Sequence, residues 1–228
     1  MYENLYEKIG FALEEIELME KLIVIGAGGY AKSVLDSIDQ YNYIMTGFID
    51  EMKQEKEHLG YPILAHSLEE IEHKSAYVYF IAIGNNKKRK LWYDKLMLNN
   101  LRLINVIDHT AIISPRANIG NGCFVGKLAI INSNATVSDN CIVNTKALME
   151  HGTYIANHVN LSTGSVINGD VTVDTGSFIG SGSIVIGQKK IGEWSTVGAG
   201  AVVIHDVESN ITVAGVPARK ISERVMLG

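Results

Sequence analysis

The sequence predicts two units in tandem, a small α/β unit followed by a long solenoid of short β-strands. Three observations carry this expectation. Stepping by six from Ile107 to Val203 meets 17 consecutive positions occupied only by Ile, Leu, Val or Met, although these four types make up fewer than one residue in three. A run of that length has a chance on the order of one in 10⁹. A second column, four residues further on and read from Ala117 to Ala201, holds Ala, Cys, Ser or Thr at 12 of its 15 positions. Ahead of both columns, residues 22–39 read as an apolar strand, a glycine turn and an amphipathic helix.

Taken in order, residues 1–18 form an acidic extension with glutamates at helical spacing, to which no chemistry is assigned. Residues 19–104 form the α/β unit. After the first strand and helix, strands are predicted over Ile44–Ile49, Val78–Ile83 and Leu103–Val106, with helical stretches near Leu68–Glu72 and Lys87–Leu98. In the first turn Gly26, Gly28 and Ala31 satisfy the G-x-G-x-x-G/A spacing, and Asp50 ends the next strand, at the distance from Gly28 expected of an acidic ribose contact. Such glycines let an anion approach the backbone while amides at the helix start face it. A bare strand-to-helix turn is the competing reading. The unit is long enough for one mononucleotide-binding half rather than the two that hold a dinucleotide. A mononucleotide, or the nucleotide end of an activated sugar, is therefore the expected ligand. Gly28, Gly29 and Tyr30 would cradle its phosphates, and Asp50 would accept from ribose or base.

Residues 105–217 form the solenoid, and 218–228 a C-terminal tail. The aliphatic column points inward and the small column sits where neighbouring faces crowd. Cys123 and Cys141 fall in the small column, which reads them as packing residues rather than reactive thiols. Gly120, Gly126, Gly180, Gly192 and Gly198 directly follow the aliphatic, where a corner is expected to need positive φ.

Composition excludes several classes. Charged residues are 20% and hydrophobic ones 46% of the 228, enough for a large core and too apolar for disorder. The net charge is −5, and no basic cluster exceeds Lys87-Lys88-Arg89-Lys90, so nucleic acid is not an expected partner. Apolar runs are too short to insert in a membrane, and no basic-then-apolar leader opens the chain. Two cysteines exclude a disulfide scaffold, and a cytoplasmic protein is the default expectation.

A solenoid of this period resembles the hexapeptide-repeat family. That resemblance implies a left-handed parallel β-helix of triangular cross-section, three hexads to the coil, and homotrimers with sites in the clefts between prisms. A small Rossmann-like α/β (βαβ) domain joined to such a β-helix is similar to the NeuD/PglD family of sugar O- and N-acyltransferases. The matching stretches are Gly26-Ala-Gly-Gly-Tyr-Ala-Lys32, Gly47-Phe-Ile-Asp50, Gly60-Tyr-Pro62, Ile83-Gly-Asn85 with Arg89, Asn144-Thr-Lys-Ala-Leu-Met-Glu-His151 and Val213-Ala-Gly-Val-Pro-Ala-Arg219. The resemblance implies acetyl-CoA as co-substrate with no permanently bound cofactor. The implied acceptor is the amino group of a nucleotide-linked 4-amino-4,6-dideoxy sugar. O-acetylation of sialic acid or another sugar is the alternative, and a non-catalytic sugar-nucleotide binder is the reading from another class.

Chemistry then assigns positions. A sugar ammonium must lose a proton as its nitrogen attacks a thioester, and histidine, with an ordinary pKa near 6.5, is the suitable base. His151 lies two residues past Met149, at a coil corner, and Gly169 lies three hexads on, so it stacks on His151. The family places the Gly169 N–H at the thioester oxygen, where an oxyanion needs a fixed donor. Asn144 matches a family active-site asparagine that holds the acceptor or the histidine. Many members carry an acidic residue directly after the histidine; here it is Gly152, so the partner is missing or another group such as Glu150 replaces it. Asn160 stands where many have a donor-contacting histidine, and Tyr30 where the glycine motif often has one. Gly180, Gly198, Ala199 and Gly200 are expected to admit the pantetheine arm, Arg219 and Lys220 to meet CoA phosphates, and Asn85 to contact the sugar nucleotide. His109, His158 and His205 are read as structural or solvated. His109 and His151 are seven hexads apart, and His151 and His205 nine; only the second step is a whole number of coils, so no three-histidine zinc site is expected. Neither cysteine is placed as a nucleophile, which implies direct transfer without an acyl-enzyme.

Overall fold

The computed structural model describes residues 19–223. The expected helical extension 1–18 and the last five residues of the tail lie outside the described residues. The α/β unit comprises β1 (Glu20–Ile25), α1 (Gly29–Leu35), β2 (Tyr43–Ile49), β3 (Glu57–His58), β4 (Tyr61–Ala65), β5 (Val78–Ile81) and α2 (Asn86–Leu98). Its sheet runs β3-β4-β2-β1-β5, with every pairing parallel except β3 with β4. Leu22 to Ile25 are buried, as a central parallel strand covered on both faces must be.

Three expectations in this unit are corrected. The pair β3 and β4 is added, because a two-residue strand and a five-residue one containing Pro62 give too little pattern to read. The helix near Leu68–Glu72 is a single 3₁₀ turn over Leu68–Glu70. The strand over Leu103–Val106 reduces to one bridge between Leu103 and Tyr79, and Val106–Ile107 instead opens the solenoid.

From Val106 onward two-residue strands alternate among three sheets. As far as Val203 each strand pairs with the one three hexads before it, as in Ile112↔Ile130↔Leu148↔Val166↔Ile184↔Val202. The three faces of the prism are thus a six-stranded, a five-stranded and an eight-stranded sheet, the last including the C-terminal pair Ile211–Ala214 and Arg219–Glu223. This is the expected left-handed β-helix. Its interior is the predicted aliphatic column from Ile131 to Val203, interleaved with the small column, Cys123, Ala129, Ala135 and Cys141 included. Arg219–Glu223 pairs antiparallel with Ile211–Ala214, so the first part of the predicted tail is a strand.

The corners correct the glycine expectation. Left-handed φ falls three residues after each inward aliphatic, at Gly122, Leu128, Asn134, Asn140, Lys146, Gly152, His158, Gly164, Asp170 and onward every six residues to Gly200. The glycines directly after the aliphatic answer a different need. A Cβ at Gly180 would lie 2.6 Å from Ala199 N, and one at Gly126 would lie 2.8 Å from Thr145 N, so the stacked coil allows no side chain there.

The α/β unit is docked on the eight-stranded face. Phe124 and Ile142 of that face share a core with Leu22, Val24, Phe48 and Phe80. Arg89 of α2, 1% exposed, donates to the carbonyls of Asn140 (3.0 Å) and His158 (2.7 Å) in the prism and of Ile83 and Gly84 in its own unit. Burial lowers its pKa, and its hydrogen bonds go to carbonyl oxygens and the Asn86 amide oxygen rather than to a carboxylate. At the other edge Asp108 accepts from Ser37 Oγ (2.7 Å) and Lys127 Nζ (2.9 Å).

Candidate active site

The glycine turn builds the first part of the site. The C-terminal ends of β1, β2 and β5 converge where strand order reverses around β1, the place at which open α/β sheets bind ligands. They enclose a cleft of about 320 Å³ lined by Gly26, Gly28, Gly29, Asp50 and Gly84, with Lys88 and Trp92 contributed by α2. Gly26 has φ +97°, and a Cβ there would crowd Ile83 and the Ala82 carbonyl. Gly28 and Gly29 differ, because a Cβ on either would meet nothing within 4 Å. Bare backbone therefore faces open space at the start of α1, whose N-cap Gly28 offers no side chain to its first turn. Lys88 and Trp92 carry no sequence signal for this role, since α2 reaches the cleft only through tertiary packing.

The side chains nearby are less free than expected. Asp50 accepts from Ala27 N (2.6 Å) through one carboxylate oxygen and from Met52 N and Lys53 N (both 2.9 Å) through the other. Burial alone would raise its pKa, but these donors hold it below the usual carboxylate range. Its first task is to staple β2 to the glycine turn. Tyr30 lines the cleft, but its hydroxyl does not serve it: the ring packs edge-on against Phe124 at 5.3 Å, the hydroxyl is buried without a partner, and burial drives its pKa upward. Asn85 caps α2, accepting from Lys88 N at 3.0 Å, and lies at the mouth of a neighbouring cavity of about 570 Å³.

The second part of the site is a corner of the prism. His151 follows the strand Leu148–Met149 of the six-stranded face and precedes Tyr154–Ile155 of the five-stranded face. Gly169 stacks on it as predicted: a Cβ there would lie 2.6 Å from His151 Cε1 and 2.8 Å from Nε2. The imidazole thus lies across the Gly169 backbone, whose N–H finds no acceptor among the described residues. Gly187, one coil further, stacks on Gly169 in turn and extends a bare strip that the same coil arithmetic reaches. Glu150 sits beside His151, but its carboxylate turns back to the His151 backbone N–H at 3.4 Å. Among the described residues the histidine–carboxylate ion pair is His109 with Asp108, not one at His151.

Several predicted partners are not gathered at this corner. Asn144 follows Ile142–Val143 of the eight-stranded face, so it and His151 occupy opposite edges of the six-stranded face; its Oδ1 accepts from Thr145 N at 2.8 Å. Gly180, Gly198, Ala199 and Gly200 share the edge of Asn144. Coil packing requires the first two to be glycine, whereas Gly200 (φ +67°) opens onto free space. Asn160 is on the eight-stranded face, 6% exposed, with its Nδ2 donating to Gly84 O at 3.4 Å and its Oδ1 unpartnered. It is covered by the α/β unit of its own chain, which removes it from the His151 corner. Arg219 and Lys220 are exposed on the last strand, beside His205 in a cavity of about 500 Å³. The corner that carries His205 is two residues short, since Val185 pairs with Val203 but Ile191 with Val207. Among the described residues no group of three or more His, Cys, Asp or Glu side chains converges as a metal site, and no helix is long and apolar enough to cross a membrane. Cys123 and Cys141 are buried, and burial pushes the Cys141 thiol far up, so it is no nucleophile.

The His151 corner and the glycine cleft are on opposite sides of one prism. The cleft belongs to the unit docked on the eight-stranded face, and His151 marks the vertex between the other two faces.

Comparison with known proteins adds the family. Residues 21–96 match the PglD N-terminal domain family. The acetyltransferase domain of PglB from Neisseria gonorrhoeae is 31% identical with a TM-score of 0.85, covering 89% of this chain and 100% of that one. The same domain in complex with acetyl coenzyme A is 30% identical, covering the same shares, with a TM-score of 0.84. A mutant of perosamine N-acetyltransferase from Caulobacter crescentus, in complex with CoA and GDP-perosamine, is 29% identical over 89% of this chain and 97% of that one, with a TM-score of 0.85. The chain is an acetyltransferase and belongs to the NeuD/PglD-type family of sugar acyltransferases.

Proposed function

We propose that this protein transfers the acetyl group of acetyl-CoA to the amino group of a nucleotide-linked 4-amino-4,6-dideoxy sugar, as a homotrimer in the cytoplasm. Residues 19–104 bind the nucleotide and residues 105–217 carry out the transfer. The observation that carries the reading is the His151 imidazole lying across the Gly169 backbone at a solvent-facing corner. The acceptor ammonium loses one proton to solvent, its nitrogen lone pair attacks the thioester carbonyl carbon, and the imidazole takes the second proton that the newly bonded nitrogen must shed. The oxyanion that forms takes a hydrogen bond from the Gly169 N–H. Collapse expels the CoA thiolate, and the imidazolium returns the proton to it. Acetyl-CoA is a co-substrate, and no resident cofactor takes part.

Geometry supports the homotrimer alongside kinship. A sugar held by the glycine cleft of one chain cannot reach His151 of the same chain around the prism, so a neighbouring subunit must supply it. Asn144 and Gly200, at the opposite edge of the six-stranded face, are then free to meet CoA in the cleft between subunits. An amine acceptor is favoured over a hydroxyl because, among the described residues, no carboxylate pairs with the His151 ring, and a hydroxyl demands the stronger base.

The test is CoA release from acetyl-CoA with UDP-, dTDP- and GDP-linked 4-amino sugars and with free sialic acid, for wild type and His151→Ala. Release with one amino-sugar nucleotide, reduced roughly 10²- to 10⁴-fold in the variant, is the expected result. Release confined to sialic acid, or surviving the substitution, overturns the acceptor or the base respectively.

A further inference from the structure

The cavity of about 570 Å³ next to the glycine cleft has a construction that coil packing does not explain. It lies between the start of α2 and the eight-stranded face, lined by Gly84, Asn86, Lys87, Phe178, Trp194 and Thr196. Gly84 lines both this cavity and the glycine cleft, so a ligand seated in one can extend into the other. Trp194 occupies a corner at φ +56°, a conformation that bulky side chains rarely adopt. Most other corners from Gly122 to Gly200 use Gly, Asn or Asp for the same turn, as at Asn134, Asn140, Gly152 and Asp170, while Leu128, Lys146, His158 and Gln188 also carry larger side chains there. The strained tryptophan is held by its ring, which lies flat on Gly176: a Cβ there would come within 2.5 Å of Trp194 Cδ2. Gly176 O in turn accepts from Asn86 Nδ2 at 3.0 Å, fixing one wall of the cavity to the other. Both aromatic side chains remain partly exposed, and the Thr196 hydroxyl oxygen has no partner although it is buried. Two partly exposed aromatic rings and a buried, unpartnered hydroxyl around one cavity point to a ligand with an apolar face and a polar substituent.

Resting on the proposed function, we infer that this cavity holds the pyranose of the acceptor, its deoxygenated face packed on Trp194 and Phe178 and one polar substituent bonded to Thr196. A 6-deoxy sugar presents a methyl group and axial C–H bonds to such a platform, whereas a 6-hydroxy sugar would bury an unpaired hydroxyl against it. Trp194 is then a specificity-determining residue: it selects deoxy sugars, while the glycine cleft selects the nucleotide.

The chain has only two tryptophans, Trp92 at the glycine cleft and Trp194 at this cavity, and that makes the inference readable by fluorescence. In Trp92→Phe, the remaining signal should change with UDP-, dTDP- or GDP-linked 4-amino-4,6-dideoxy sugar and not with the matching nucleoside diphosphate. Trp194→Asn, which suits the left-handed corner, should keep its melting temperature and its affinity for the nucleoside diphosphate. It should lose roughly tenfold in affinity for the deoxyamino-sugar nucleotide, and its preference over the 6-hydroxy sugar nucleotide should vanish. Trp194→Phe should retain most of both. Equal affinity of wild type and Trp194→Asn for the sugar nucleotide, or a Trp194 signal that follows the nucleoside diphosphate alone, overturns the inference. These binding readouts need no turnover. Absence of acetyl transfer with the fluorescence pattern intact would sink the proposed reaction and leave the platform standing. Acetyl transfer unaffected in Trp194→Asn would do the reverse.

Discussion

The His151 imidazole rests on Gly169, so close that a single methyl group at position 169 would occupy the space of the ring, 2.6 Å from Cε1. Glycine is required there to seat the ring, although the Gly169 backbone itself is not in the left-handed region. Gly169→Ala should therefore leave folding nearly intact, because an exposed side chain can swing away, while displacing the base from its working position. A displacement near 1 Å costs about 10²-fold in rate. Steady-state kinetics should show that loss in kcat with little change in the Kd of either substrate. Unchanged kcat would mean that the ring position is irrelevant to the chemistry.

Complementation tests the assembly of one site from two chains. A variant lacking the base, His151→Ala, keeps its glycine cleft, and a variant with a blocked cleft, Gly28→Trp, keeps its base. Each alone should be inactive. Refolded or co-expressed together, they should regain measurable activity, since some neighbouring pairs combine an intact cleft with an intact His151. No recovery from verified mixed oligomers would place both parts of the site in one chain.

Acid should loosen the docking of the α/β unit through His158. This side chain is 4% exposed; Asn140 Nδ2 lies 2.9 Å from its Nδ1 and Tyr93 packs edge-on at 5.1 Å. Burial, then the nearby charges of Arg89 and Lys90, pushes its pKa down to about 4, with Asp94 and Asp139 opposing. The folded state thus holds His158 neutral where the unfolded chain would bind a proton. Its contribution is fully present above pH 6.5 and is lost as pH falls toward 4, up to roughly 3 kcal/mol. Denaturant titrations should show wild type losing more stability between pH 7 and pH 4.5 than His158→Asn, which keeps a residue suited to φ +64°. Parallel pH profiles would contradict the assignment.

Two glycines separate packing from conformation. Gly180→Ala drives its Cβ to 2.6 Å from the Ala199 backbone N, so adjacent coils must part. Gly164→Ala meets nothing within 4 Å and suffers only the left-handed φ of +66°, a cost of about 1–2 kcal/mol. Thermal melts should rank Gly180→Ala well below Gly164→Ala. The reverse order would mean that corner conformation, not coil stacking, decides which glycines matter.

Much of this is legible in the amino-acid order alone. The solenoid is a one-dimensional repeat, in which each residue meets its counterpart one coil away, so sequence spacing translates directly into contact. That is why spacing places Gly169 on His151 and the cysteines in the packed interior. The same arithmetic fails where regularity ends: the corner between Val203 and Val207 is two residues short, so spacing no longer gives the stacking beyond Val203. It also misassigns the glycines after the aliphatic column. Spacing shows that a small residue is needed, but only the neighbouring coil shows that the reason is a backbone atom rather than a dihedral angle.

The sequence by itself determined the two-unit architecture, the coil period, the glycine turn and the corner that stacks His151 on Gly169, because these depend on periodicity and local stereochemistry. Only the tertiary structure decided which parts can act together. Docking through Arg89, Phe124 and Ile142 buries Asn160, turns Tyr30 inward, brings Lys88 and Trp92 to the glycine turn and opens the Trp194 cavity beside it. It also sets the cleft and His151 on opposite sides of one prism. None of these contacts has a fixed sequence spacing, since the face on which a separate unit comes to rest is chosen by the fit of two surfaces.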